Sequence, residues 1–308
     1  MARARRGEPV DGVLLLDKPS GITSNLALQQ ARRLLAAAKA GHTGTLDPLA
    51  SGLLPLTFGE ATKFSSDLLD ASKTYEAEVA LGVTTDTGDA EGKVTATAEV
   101  AVSTPDIETT LQRLSGAIEQ IPPMFSALKR DGRPLYAYAR AGEEVARPAR
   151  SVVVHRLELR AHEGTRLHLV IDCSKGTYVR VLAQDIGAQL GCGAHLAGLR
   201  RTRVGDLTLA GSTTLEELAA LAPEARCRLL LPLDTLIGCL PRVELDAGLA
   251  DRFSHGQRLP LGPGNPCGRV RVIGPSSRLL GVARIDEHGL LAPHRLVHQA
   301  TDRNESQP

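Results

Sequence analysis

Three stretches alternate apolar and polar residues, and they constrain the fold of this chain more than any other feature. In Lys73–Leu81, Tyr75, Ala77, Val79 and Leu81 alternate with Thr74, Glu76 and Glu78. Val152–Leu159 and Arg166–Cys173 alternate in the same way. Successive side chains point to opposite faces only in a strand, so each stretch predicts a half-buried strand, the last two as neighbours. Between them lie helix signals. Ser24 or Asn25 can cap a helix carrying Leu26, Ala27, Arg33, Leu34 and Ala38, and a second helix is expected over 60–69. Thr104-Pro105-Asp106 opens another, with Ile107, Leu111, Leu114 and Ile118 on one face. Val181, Leu182, Asp185, Ile186 and Leu190 mark a fourth, and Thr214-Leu-Glu-Glu217 is a capping box. Val13–Leu16 predicts a strand entering a turn at 17–21. Past Leu240 glycine and proline become frequent and short strands (269–273, 279–285) alternate with turns, which predicts a small all-β module over 241–300.

Composition narrows the partners. With four Tyr, four Phe and no Trp in 308 residues, Leu, Val and Ala must fill the core, and each ring becomes a question in itself. A net charge of +1 excludes a global field that would draw the chain to nucleic acid or membrane, so polyanion binding needs local clustering. Of the 36 basic residues 29 are Arg, which suits bidentate phosphate contacts but follows equally from codon bias. Five scattered Cys with no Cys-x-x-Cys point to a reduced, cytoplasmic chain without a zinc site. No apolar signal core follows the basic start, and no run is long enough to span a bilayer.

The loop Gly41–Gly52 is the most unusual segment. It lacks the phosphate-loop pattern, and no strand–GxGxxG–helix unit exists, so no nucleotide cofactor is expected. What it carries is Asp47 between Leu46 and Pro48, either a turn former or a carboxylate held for chemistry. His42 is a surface loop residue or a site residue. Tyr75 and Tyr178 lie near Lys73 and Arg180, an arrangement suited to stacking on a nucleotide, with core packing the rival for Tyr75. Residues 128–160 carry eight basic against four acidic residues around Tyr136 and Tyr138, a solvated helix face or an RNA contact in equal measure.

Taken in order, Gly12–Pro19, Ala40–Pro55, Gly59–Phe64, Lys73–Tyr75, Thr85–Asp89, Gln120–Lys129 and Cys173–Arg180 resemble the bacterial tRNA pseudouridine-55 synthases. The resemblance covers about 11–205. The end of the chain looks like that family's small PUA-type RNA-binding domain. It implies an α/β (α+β) fold: a catalytic domain on a mixed, largely antiparallel sheet (11–240), then a PUA-like β domain (241–300). A basic tail (1–10) and a disordered tail (301–308) flank them.

The same resemblance implies roles. Asp47 matches the nucleophilic aspartate, Tyr75 the tyrosine packed on the target base and proposed to deprotonate C5, and Arg180 the aspartate's ionic partner. Tyr178 and Leu199 match residues lining the base pocket. His42 matches the histidine that fills the space left by the flipped nucleotide, and Lys18 and Lys63 match basic residues near the site. Breaking C1′–N1, turning the uracil and joining C5 to C1′ loses no electrons or groups, so no cofactor or metal is implied. The partner implied is the tRNA T-arm stem-loop, bound by a monomer, with no membrane involved. Attack at C1′, attack at C6 and removal of a ribose proton all remain open to Asp47. A tRNA-folding protein with a vestigial loop is the rival from another class, and a carboxylate hydrolase of nucleosides or sugars the weaker third.

Overall fold

The computed structural model describes residues 7–126 and 128–298. The expected disordered tail and most of the basic tail lie outside the described residues. The alternating stretches pair as predicted. Strands β1 (Gly12–Lys18), β2 (Ala40–His42), β3 (Ser51–Phe58) and β4 (Lys73–Leu81) join five others in a nine-stranded sheet. Arg166–Cys173 lies between β4 and Arg150–Glu163, antiparallel to both. Ala194–Val204 runs antiparallel to β4 on its other side and parallel to β3 through Arg200–Ser51 and Arg201–Gly52. The sheet is thus mixed and largely antiparallel.

Leucine, valine and alanine do fill the core. Ala77, Val79, Leu169 and Ile171 pack on the helices Thr104–Arg113 and Val179–Gln189 through Ile107, Leu111, Leu182 and Ile186. Leu14, Leu16, Leu54 and Leu56 pack on helix α1 (Ser24–Leu34). Three of the four phenylalanines, Phe58, Phe64 and Phe253, are fully buried, whereas no tyrosine is. The scarce rings divide by chemistry, the apolar ones inside and the hydroxylated ones at surfaces and clefts.

Several local expectations need correction. Thr23, not Ser24 or Asn25, caps α1, accepting from Leu26 N at 3.1 Å, and the helix stops at Leu34, before Ala36 enters a positive-φ turn (+49°), leaving Ala38 outside. Residues 60–69 form a 3-10 turn (Gly59–Phe64) followed by a short α-helix (Ser65–Leu69). Ile118 belongs to the strand Gly116–Gln120, because the chain turns at Gly116 (φ +88°). The ends of the Gly41–Gly52 loop belong to β2 and β3, leaving 43–50 irregular. The C-terminal module is a five-stranded sheet, but it is not all β: Asp246 caps the helix Ala247–Ser254, which delivers Phe253 to the core. No helix among the described residues is long and apolar enough to cross a membrane.

Candidate active site

The loop 43–50 leads into β3 where that strand starts to pair in parallel with Ala194–Val204, the one parallel strand pairing of this sheet among the described residues. Three bonds stiffen it. Ser24 Oγ donates to Leu46 O (2.9 Å) and accepts from Leu46 N (2.8 Å), and Gly21 N donates to Pro48 O at 2.8 Å. The hydroxyl read as a possible helix cap therefore clamps the residue before Asp47. Gly52, which ends the loop, has φ +99°, and a Cβ there would lie 2.3 Å from Arg201 O. Only glycine permits this crossing of backbones.

Asp47 faces Arg180, whose Nε is 3.0 Å from Asp47 Oδ2 and 3.4 Å from Asp89 Oδ2. Arg180 itself is buried and also donates to Thr87 O (3.1 Å) and Phe125 O (2.7 Å). The guanidinium is therefore held by four groups, and its charge is shared by two carboxylates. Asp47 alone opens outward, with 40% of its side chain exposed against 5% for Asp89. Burial by the surrounding walls raises the Asp47 carboxyl above the usual range; Arg180 opposes that rise and Asp89 reinforces it. The pair with Arg180 limits the shift without reversing it.

Beside Asp47 lies a cavity of about 250 Å³, walled by Tyr75, Tyr178, Leu199, Leu69, Val179 and Arg201. That is below the roughly 300–1,000 Å³ of sites for drug-sized ligands and suits one planar ring. Tyr75 and Leu199 reach it from neighbouring strands and share a face, since Tyr75 opposes Arg201 and Ala77 opposes Leu199. Tyr178 stands immediately before the helix Val179–Gln189, and Gln120 clamps its backbone through Tyr178 N to Oε1 (3.0 Å) and Nε2 to Tyr178 O (3.3 Å). Burial raises both tyrosine hydroxyls, opposed by Arg201 at Tyr75 and by Ser126 at Tyr178. A larger, open depression of about 810 Å³ is lined by Glu76, Glu78, His168 and Arg200, and holds neither the carboxylate–guanidinium pair nor a tyrosine.

The other expected residues divide. His42 ends β2 with its Nδ1 buried; burial and the Arg201 charge lower its basicity, opposed by the Gly44 backbone. Lys18 is fully buried, donating to Pro19 O (2.8 Å) and Ile22 O (2.7 Å), and burial lowers it to about 8 while Asp47 opposes the shift. It lies in the field of the site but spends its donors on the turn after β1. Lys63 is not a wall of the cavity. Its Nζ bonds Glu60 Oε2 (2.6 Å) and Leu296 O (2.8 Å), joining the 3-10 turn to the C-terminal sheet. Sequence reasoning missed Asp89, Gln120, Ser24 and Arg201. The first two lie inside stretches that carried the resemblance, whereas nothing local marked Arg201.

Carboxylate, guanidinium and two tyrosines around a ring-sized slot can hold a planar base by stacking and present an oxygen nucleophile to its sugar. Comparison with known proteins identifies the family. Residues 32–179 match the model of the "TruB family pseudouridylate synthase (N terminal domain)". Residues 180–238 match the "tRNA pseudouridylate synthase B C-terminal domain", and 241–297 the "Pseudouridine synthase II TruB, C-terminal". The chain is 59% identical over 297 residues to tRNA pseudouridine synthase B of Aromatoleum aromaticum, covering 96% of each. It is 57% identical over 296 residues to that of Dechloromonas aromatica, covering 96% of this chain and 98% of the other. Among solved structures, a chain in the crystal structure of a Cbf5–Nop10–Gar1 complex superposes with TM-score 0.72 at 25% identity, over 96% of this chain and 91% of that one. A chain in an H/ACA RNP bound to a substrate RNA containing 2′-deoxyuridine gives the same score at 23% identity, covering 97% and 92%, a likeness of fold.

Proposed function

The chain belongs to the TruB family of pseudouridylate synthases, and from that premise we propose that it isomerises uridine 55 in the T-arm of tRNA to pseudouridine, with Asp47 as nucleophile. The observation that carries the assignment of Asp47 is its carboxylate, 3.0 Å from a buried arginine and half open onto a slot the size of one base. The enzyme is an isomerase. It breaks C1′–N1, turns the uracil and joins C5 to the same C1′; C5 gives up a proton and N1 gains one, so substrate and product are isomers.

Each group has a part in this. The base must leave its stack, at a cost of a few kcal/mol. Stacking on Tyr75, enclosure by Tyr178 and Leu199, and the neutral His42 ring in the vacated space offset that cost. Arg180 keeps the Asp47 charge available against the burial that opposes it. Burial keeps the Tyr75 hydroxyl protonated, so Tyr75 relays the C5 proton, passing its own phenol proton on as it accepts the one from C5. Arginine-rich surfaces supply salt-dependent contacts to phosphates. The chemistry calls for no cofactor and no metal, since nothing is oxidised and no group departs.

Residues 11–240 form the catalytic unit and 241–300 a PUA-like module that contacts RNA; the change of family model between 238 and 241 supports that division. The enzyme acts as a cytoplasmic monomer. With C5-tritiated T-arm stem-loop RNA, the wild type releases tritium, and Asp47→Asn abolishes release while filter binding of the RNA persists. Equal release by both proteins would remove Asp47 from the mechanism. Tight binding without release by either would favour the tRNA-folding alternative.

A further inference from the structure

Among the described residues, Arg201 is the largest side chain that is fully buried, at 1% exposure. Its neighbours Arg200 and Arg203 ion-pair with Asp17 and Asp172. Arg201 points to the other side of the sheet, into the cavity floor, and has no such carboxylate among the described residues. A buried cation without a counter-ion is costly, and packed apolar residues of similar volume are usually at least as stable. A floor built for stability alone would carry a leucine or methionine here.

The contacts show what the charge holds instead. Nε donates to Leu53 O of β3 at 2.8 Å, and Nη2 donates to Gly44 O at 3.2 Å, three residues before Asp47. The third partner is the Tyr75 side chain, directly across the strand pair. Cross-strand neighbours on one face stand close enough for their side chains to meet. One rigid planar fork thus bonds the strand leading from the catalytic loop and the loop itself, and stands opposite the tyrosine facing Asp47 over the slot. A fork with five donors makes such a three-way contact where an ammonium cannot hold the same geometry.

We propose that Arg201 is the positioning residue of this site, fixing the Tyr75 phenol and the Asp47 loop in one arrangement across the base slot. It acts through those two groups, and the proposal rests on the pseudouridine reading above. Its charge adds to burial, the larger cause, in lowering Lys18 and Lys73 to about 8 and in weakening His42 as a base. At Tyr75 burial raises the phenol, and the same charge opposes that rise without reversing it.

The test compares wild type, Arg201→Lys, Arg201→Met, Tyr75→Phe and the double variant Tyr75→Phe/Arg201→Lys. Single-turnover tritium release is measured at saturating enzyme, with T-arm RNA Kd and Tm measured alongside. Arg201→Lys keeps charge and fold and is expected to lose on the order of 100-fold in rate, the scale of a small misplacement next to the chemistry, with Kd and Tm unchanged. Arg201→Met is expected to lose at least as much. The double variant is expected to fall less far than the product of the single losses, because both changes break one contact. Losses that multiply, a rate decline matched by weaker RNA binding, or wild-type rates in Arg201→Lys would each overturn the proposal. Failure of the wild type to release tritium would instead refute the pseudouridine reading.

Discussion

Arg180 and Lys63 were both expected near the site, and each is the centre of a cluster of charges, yet the two clusters do opposite things. At Arg180 the guanidinium is held by two backbone carbonyls and two carboxylates, one of which faces an unfilled cavity. At Lys63 every bond ends on protein. The ammonium bonds Glu60 and Leu296 O, and His298 N donates to Glu60 Oε2 at 2.8 Å. Around it Phe64 and Leu68 share a core with Ile273, Leu279 and Val282 of the C-terminal sheet, and Arg269 reaches Asp67 at 2.5 Å. Polar groups that satisfy one another close a seam. A carboxylate left with an open side can react.

Of variants in these two clusters' cations, Arg180→Gln should have the larger effect. Asp47 is raised by burial and by Asp89, and Arg180 is the main opposing charge, so removing it raises the carboxyl further. The reactive form is the carboxylate, so activity is present above the folded-state pKa and is lost as pH falls through it. The acid limb of the single-turnover rate therefore moves to higher pH in the variant. At neutral pH the rate should fall by about 100-fold or more, the scale of removing one preorganised charge contact. Stability carries the opposite sign. A carboxyl raised on folding stabilises the native state below its unfolded pKa, and that contribution fades as pH climbs through the folded value. An unmoved acid limb would show that Arg180 does not govern Asp47.

Lys63→Met probes the other side of the contrast. It removes the ammonium's bonds to Leu296 O and Glu60 Oε2 at the seam, a loss of about 1–3 kcal/mol in unfolding free energy. Tritium release from saturating T-arm RNA should be unchanged, because Lys63 touches no wall of the slot. A rate loss at unchanged Tm would return Lys63 to the site and erase the distinction between the clusters.

The sheet was legible because period-two alternation is local, and the ordered stretches that carried the resemblance contain Asp47, Tyr75 and Tyr178, which the fold sets around one slot with Leu199. What stayed hidden depends on partners far along the chain. Arg201 sits in Leu-Arg-Arg-Thr-Arg (199–203), which reads as a wet basic run until the register with β4 turns one arginine under Tyr75. Lys63 shows the same limit: its sequence neighbours match the family, but Leu296 O lies 233 residues away. Ser24 was read for the helix end it could cap, while the bond it makes spans 22 residues. Ile118 continued a helical period that only the turn at Gly116 interrupts. The helix inside the C-terminal module did have a local signal, Asp246 before Leu249, Ala250 and Phe253, which the glycine- and proline-rich surroundings obscured.

The smallest effect separates charge as such from charge in place. Asp70 and Lys175 form an ion pair at 2.8 Å close to the slot, where Leu69 and Gly176 are walls. Both side chains are well exposed, 71% for Asp70 and 59% for Lys175. Lys175 lowers the Asp70 carboxyl, chiefly through its hydrogen bond, but water and salt screen such a pair to about 0–1 kcal/mol. Asp70→Asn should therefore leave Tm and tritium release unchanged. It also frees an ammonium beside the slot, so T-arm RNA should bind slightly more tightly at low salt, with the gain vanishing as salt rises. If proximity to the cavity were what made an ionic pair functional, this variant would lose rate as Arg180→Gln does. A loss of that size would place the determining feature in distance from the slot rather than in burial with one side left open.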